Sequence, residues 1–230
     1  MLDERFTRRG SLARLGTLLA AAAGGGITAA RAEGDGPAAV STGLVTCVLT
    51  PELTEGPYYI AGEKVRRNIT DGHAGTPLAR HLTVVDASTC SPIRGAAVDI
   101  WHADASGVYS GFGAGAASRT FMRGIQPTNA QGLASFITVY PGWYTGRAVH
   151  VHVKVHVGGN VVHTGQLFFS DAITDTVYRG APYSSRPNRD TRNAQDSIFV
   201  NGGKRSMLAL KRNTSGPGWL GSITMGVHRS

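Results

Sequence analysis

Cysteine is nearly absent. Cys47 and Cys90 are the only two in 230 residues, so at most one disulfide can form. Runs of Lys or Arg are missing too. The basic residues are scattered, which argues against a nucleic-acid partner. Beyond the N-terminal stretch no apolar run is long enough to span a bilayer, so no membrane segment is expected in the mature chain. Past that stretch no segment keeps a helical apolar period over three turns. The length allows one domain with a sizeable core and hardly two.

The N-terminus reads as an address. Arg8 and Arg9 precede Gly10, Ser11 and Leu12, an apolar stretch runs from Leu15 to about Ala23, and Ala30-Arg31-Ala32 fits signal peptidase. That order predicts a twin-arginine signal over 1–32, and a mature domain over 33–230 in the periplasm or outside the cell. An amphipathic first helix is the competing reading. Such signals serve proteins exported already folded, often with a cofactor inside. The signal holds five Arg against Asp3 and Glu4, so it supplies +3 of the formal +8 and leaves +5. An oxidising compartment favours a Cys47–Cys90 disulfide over two buried thiols.

Residues 33–43 are rich in Gly, Ala, Pro and Ser and read as a lead-in. Strands are then expected over His81–Ala87, Ala96–Trp101, Leu133–Tyr140, His150–Val157, Val161–Phe169, Met207–Arg212 and Leu220–Val227. Ser170–Ser197 is polar and reads as a long ordered loop. Short strands with Gly and Pro punctuation predict an all-β fold, an antiparallel β-sandwich of prealbumin-like type with long connecting loops.

The sharpest pattern is His150-Val-His-Val-Lys-Val-His-Val157. Its period of two puts His150, His152, Lys154 and His156 on one face, with alternate residues ~6.5 Å apart. Two imidazoles at that spacing can meet one metal ion. A polar solvent-facing strand explains the pattern equally well by itself. Tyr109 and Tyr144, taken singly, read as packing residues.

Several motifs occur together and in order: Thr54-Glu-Gly-Pro-Tyr-Tyr59, Gly95 with Val98, Ile100, Trp101 and His102, Gly107-Val-Tyr109-Ser, Arg123-Gly124 with Gly132, Pro141-Gly-Trp-Tyr144, and Arg147-Ala-Val-His150-Val-His152. Gln166 lies fourteen residues after His152. With these motifs the chain resembles the intradiol ring-cleavage dioxygenases, the family of catechol 1,2-dioxygenase and protocatechuate 3,4-dioxygenase, from about Leu49 to Phe169. The leader and the cysteine pair are similar to an exported, single-domain branch.

That resemblance implies Fe(3+) held by Tyr109, Tyr144, His150 and His152. It implies an oxidoreductase that opens a catechol between its hydroxyls with dioxygen, giving a cis,cis-muconate-type diacid. Its partners would be a small aromatic diol and dioxygen. Tyr144 would be the ligand the substrate displaces and a base for its proton. Arg147 would stabilise negative charge on the ring, and Gln166 would hydrogen-bond the substrate. Pro57, Tyr58 and Trp143 would wall the pocket. Phenolates suit a hard ferric ion, whereas zinc and ferrous sites favour other donors. Asp104, His102 and His156 are expected to stand outside the centre, with His102 behind a core Trp101 and bonded to a backbone carbonyl.

Three departures from the catechol enzymes stand out. The link from Tyr144 to His150 has only five residues, which should open the pocket. Ala148 follows Arg147 where those enzymes tend to have Pro. Their N-terminal helical dimerisation segment is not seen, so their dimer is not assumed. Two rival readings remain: a non-catalytic prealbumin-like binding module, and a zinc or copper enzyme using the three strand histidines.

Overall fold

The computed structural model describes residues 47–113 and 115–229. The expected export signal and the whole lead-in lie outside the described residues. Among the described residues, eight strands form two four-stranded sheets. They are β1 (Pro77–Asp86), β2 (Ala97–Trp101), β3 (Arg123–Pro127), β4 (Leu133–Val139), β5 (His150–Val157), β6 (Asn160–Phe168), β7 (Ala209–Arg212) and β8 (Trp219–Val227). The first sheet has the order β4-β1-β8-β7 and the second β3-β2-β5-β6.

Alternation builds the core. Leu78, Leu82 and Val84 of β1 pack with Val98 and Ile100 of β2, Phe136 of β4, Val151, Val153 and Val155 of β5, Leu167 of β6 and Met225 of β8. Each fully buried side chain of this kind contributes roughly 1.5–3 kcal/mol. The sandwich class stands as predicted, with one correction: β1 and β8 run parallel, from Leu78 beside Trp219 to Asp86 beside Val227. All the other strand pairs are antiparallel.

Three further corrections follow. β3 was not expected, because Arg123-Gly-Ile-Gln-Pro127 is too short and too mixed to show a period. It earns its place by pairing with β2, Trp101 opposite Arg123. The stretch Ser170–Ser197, expected as loop, contains helix α1 (Asp171–Val177) and two 3-10 turns, and helix α2 (Ser197–Val200) begins at its last residue. Trp101 does not face the sandwich core. It lies on the outer face of the second sheet with Tyr109, while Ile100 points inward.

That outer face is roofed. The segment from Leu53 to Arg66 crosses it, pinned at β6 by Leu53 N–H to the Thr164 carbonyl (2.9 Å) and at β3 by Arg66 N–H to the Ile125 carbonyl (3.1 Å). His150, His152 and Lys154, which a two-sided reading of β5 would leave to solvent, are therefore buried. Cys47 and Cys90 are joined, with Cα atoms 5.3 Å apart, tying the start of the described chain to the loop after β1. Among the described residues no helix is long and apolar enough to cross a membrane.

Candidate metal centre

The centre grows from strand β5 and two loops. On β5, His150 and His152 both point under the roof, and their Nε2 atoms stand 3.1 Å apart. His150 Nδ1 lies 2.7 Å from the Ala148 carbonyl. A carbonyl can only accept, so Nδ1 carries the proton and Nε2 keeps its lone pair. His152 is held flat against Trp101, with ring centroids 4.9 Å apart and planes 7° apart.

Tyr109 and Tyr144 arrive on loops that touch backbone to backbone. Gly142 N–H donates to the Asp104 carbonyl at 2.9 Å. A Cβ on Gly142 would sit 2.4 Å from the Ala105 oxygen, and one on Gly107 only 2.2 Å from the Trp143 oxygen. Gly107 also has φ +87°, open to glycine and costly for other residues. Asp104 locks the first loop: its Oδ1 accepts from Ser106 N–H (2.9 Å), the Ser106 hydroxyl (2.7 Å) and Val108 N–H (3.0 Å). Asp104 is thus a turn-former, and its other oxygen faces His73 Nδ1 at 3.2 Å.

All four expected ligands meet. Tyr144 Oη is 3.2 Å from His150 Nε2. The Tyr109 ring lies 5.6 Å from that of Tyr144 and 6.1 Å from that of His152. Tyr109 is 4% exposed, and its hydroxyl has no hydrogen-bond partner. A buried phenol left without a partner is costly. Two phenol oxygens and two imidazole nitrogens around one point, one of them orphaned, fit a hard trivalent cation. Burial pushes both phenols above their ordinary range; the neighbouring Tyr144 adds to it for Tyr109, while Arg147 restrains Tyr144. Burial and then the Arg147 charge take His150 down to about 3. His152 is also held well below its usual value, by burial and then His150. Both imidazoles are therefore neutral, the form that ligates.

Arg147 and Gln166 stand beside these four side chains. Arg147 Nη1 reaches Tyr144 Oη at 3.4 Å, and Nη2 donates to Gln166 Oε1. Gln166 Nε2 donates to the Thr54 carbonyl at 2.8 Å, which fixes its amide. The Tyr58 ring stacks on Tyr109 at 4.3 Å and meets Tyr144 edge-on at 6.0 Å, closing one side. Trp143 turns to Arg186, whose carbonyl accepts its indole N–H at 2.8 Å.

The excluded residues stay out. His102 Nδ1 meets the Ala103 carbonyl at 2.7 Å and Nε2 meets Thr138 Oγ1 at 2.8 Å, between the sheets. His156 is four residues beyond His152, ~13 Å along the strand. Among the described residues no three His, Cys, Asp or Glu side chains gather to hold an ion. A zinc or copper centre of three strand histidines has no such cluster.

Sequence reasoning missed Asp196. It is 1% exposed, and its Oδ2 accepts from Arg147 Nε at 2.9 Å and Ala148 N–H at 2.8 Å. Burial alone would raise its carboxyl, but the Ala148 N–H and the Arg147 charge outweigh that and hold it below the ordinary value. An Asp before Ser197-Ile-Phe-Val200 is a legible helix cap, but nothing local announces its partner 49 residues earlier.

A family model described as Dioxygenase matches residues 54–178, more than half of the chain. Catechol 1,2-dioxygenase 1 of Acinetobacter lwoffii is 39% identical over 102 residues, covering 41% of this chain and 32% of that protein. The chain spans 32–61% of the length of the curated relatives it matches. An intradiol ring-cleavage dioxygenase from Tetranychus urticae superposes with a TM-score of 0.76 at 36% identity, over 80% of this chain and 96% of that one. The dioxygenase domain of a dioxygenase–carbohydrate-binding fusion from Streptomyces sp. SirexAA-E gives a TM-score of 0.61 at 29% identity, over 80% of this chain and all of that one. With the motif-bearing residues gathered at one point and the match running through them, the chain belongs to the intradiol ring-cleavage dioxygenase family.

Proposed function

We propose that this chain is a non-haem iron(III) dioxygenase that opens a catechol ring between its two hydroxyls and places both atoms of dioxygen in a cis,cis-muconate-type diacid. The observation that carries the reading is the convergence of Tyr109, Tyr144, His150 and His152. Ferric iron bound there supplies a Lewis-acidic, redox-active centre for two adjacent ring oxygens and dioxygen.

The chain's own groups have distinct tasks. Tyr109, His150 and His152 are the buried, fixed donors. Tyr144 is the donor within reach of the Arg147 guanidinium. Its oxygen would keep Arg147 as a charge partner and could take a proton from a substrate hydroxyl. Arg147 would present the planar edge of its guanidinium to the ring. Gln166, fixed by Thr54, offers a polar edge beside it. Tyr58 keeps water from the Tyr109 side. A binding module has no use for this donor set.

The test is oxygen uptake by the iron-loaded protein against a panel of catechols, with product masses. Intradiol diacids are expected; cleavage outside the hydroxyls, or none, overturns the reading. The loaded protein should be burgundy from tyrosinate-to-iron charge transfer. Tyr144→Phe should shift that band and lower kcat by ~10²-fold or more. An unchanged spectrum removes Tyr144 from the ligand set. We further propose export by the twin-arginine route. Arg8→Lys with Arg9→Lys should retain the protein in the cytoplasm, and unimpaired export sinks that part.

A further inference from the structure

Arg147 is held from behind. Its Nε donates to Asp196 Oδ2 at 2.9 Å, which leaves Nη1 for Tyr144 Oη and Nη2 for Gln166 Oε1. A guanidinium is planar, so fixing one edge fixes where the other two nitrogens point. The same Oδ2 accepts from Ala148 N–H at 2.8 Å, and the Ala148 carbonyl in turn accepts from His150 Nδ1–H at 2.7 Å. Oδ1 is used elsewhere: it caps α2 through Ile198 N–H (2.8 Å) and Phe199 N–H (3.2 Å). One buried carboxylate therefore joins α2 to both the charge and the strand entry of the metal centre. A second carboxylate holds the same loop, with Gly146 N–H donating to Asp190 Oδ1 at 3.2 Å.

We infer that Asp196 is a positioning residue for the ring-opening site: it aims the Arg147 guanidinium at Tyr144 and the substrate, and sets the backbone that orients His150. This rests on the proposed dioxygenase reading for its effect on rate. A loose Arg147 would still bind anions but would no longer present a fixed edge, so the loss should appear in kcat more than in KM. The cap and the aim are separable. Asp196→Asn keeps an oxygen for α2, since Asn caps as well as Asp, and puts an amide NH2 where Arg147 Nε and Ala148 N–H need an acceptor.

The experiment is a cycle of wild type, Asp196→Asn, Arg147→Gln and the double variant, with iron content, Tm and kcat measured for each. Asp196→Asn should lower kcat ~10–100-fold when assayed well below its Tm, which itself falls because two buried donors lose their acceptor. In the Arg147→Gln background it should cost less than about 2-fold more, because the group it aims is gone. Equal losses in both backgrounds, or a fall in Tm with kcat unchanged, overturn the inference. A second measurement stands apart from turnover and from that variant's folding. In wild type labelled with 15N at arginine, the Arg147 Nε–H, assigned by its disappearance in Arg147→Gln, should exchange slowly with water; fast exchange overturns the inference. A wild type that cleaves no catechol defeats the dioxygenase reading instead, and the exchange result still decides on Asp196.

Discussion

Asp99 sits on the outer face of β2, opposite Lys154, 1% exposed and with neither oxygen hydrogen-bonded. Burial, and then the negative charge of Glu63, push its carboxyl up to about 7. An unfolded chain titrates the same group near ~4. Between those values the folded chain holds the extra proton, so stability from this group falls as pH rises from ~4 to about 7 and is flat above. Asp99→Asn should therefore gain in Tm over wild type, with the gain growing from pH 4 to pH 8. A gain that is the same at both ends would show that Asp99 is not the group responsible. At this scale the gathering of Tyr109, Tyr144, His150 and His152 was legible because they stand in ordered motifs. Asp99 and Asp196 were not, because a carboxyl's role depends on what is folded over it.

Among elements, strand β5 was readable to the residue, since strict alternation of Val with polar residues admits one register. Its polar face was misjudged only in its surroundings. Nothing in the strand says that Leu53–Arg66 will lie across it. Trp101 shows the same limit from the other side: a large apolar residue was assigned to the core, yet it serves as the plate behind His152. The two tyrosine loops depend on each other through bare backbone. Gly107→Ala adds a Cβ 2.2 Å from the Trp143 oxygen at a φ of +87°. We expect a loss of at least about 3 kcal/mol in unfolding free energy, read by denaturant titration, together with reduced iron content. A fully loaded variant of wild-type stability would show that the loops can part without harm.

Across the whole molecule, the sandwich was predictable from period and punctuation, but the parallel β1–β8 pair was not, because partners so far apart leave no local mark. The Cys47–Cys90 bridge closes a separation of 43 residues. Chain entropy for such a loop is worth about 4 kcal/mol, so Cys47→Ser with Cys90→Ser should lower stability by up to that amount. Dithiothreitol should do the same to wild type and nothing to the variant.

The sheet order β4-β1-β8-β7 places the last of the eight strands in the interior of its sheet, between β1 and β7. During synthesis β1 can zip to β4 early, yet its other edge must wait for residues 219–227 to leave the ribosome. Until then a nascent chain carries an open strand edge, the surface on which chains stick to one another. Closure of this sheet therefore waits until β8 has emerged, and a chain cut before residue 219 keeps the β1 edge open to chaperones and proteases.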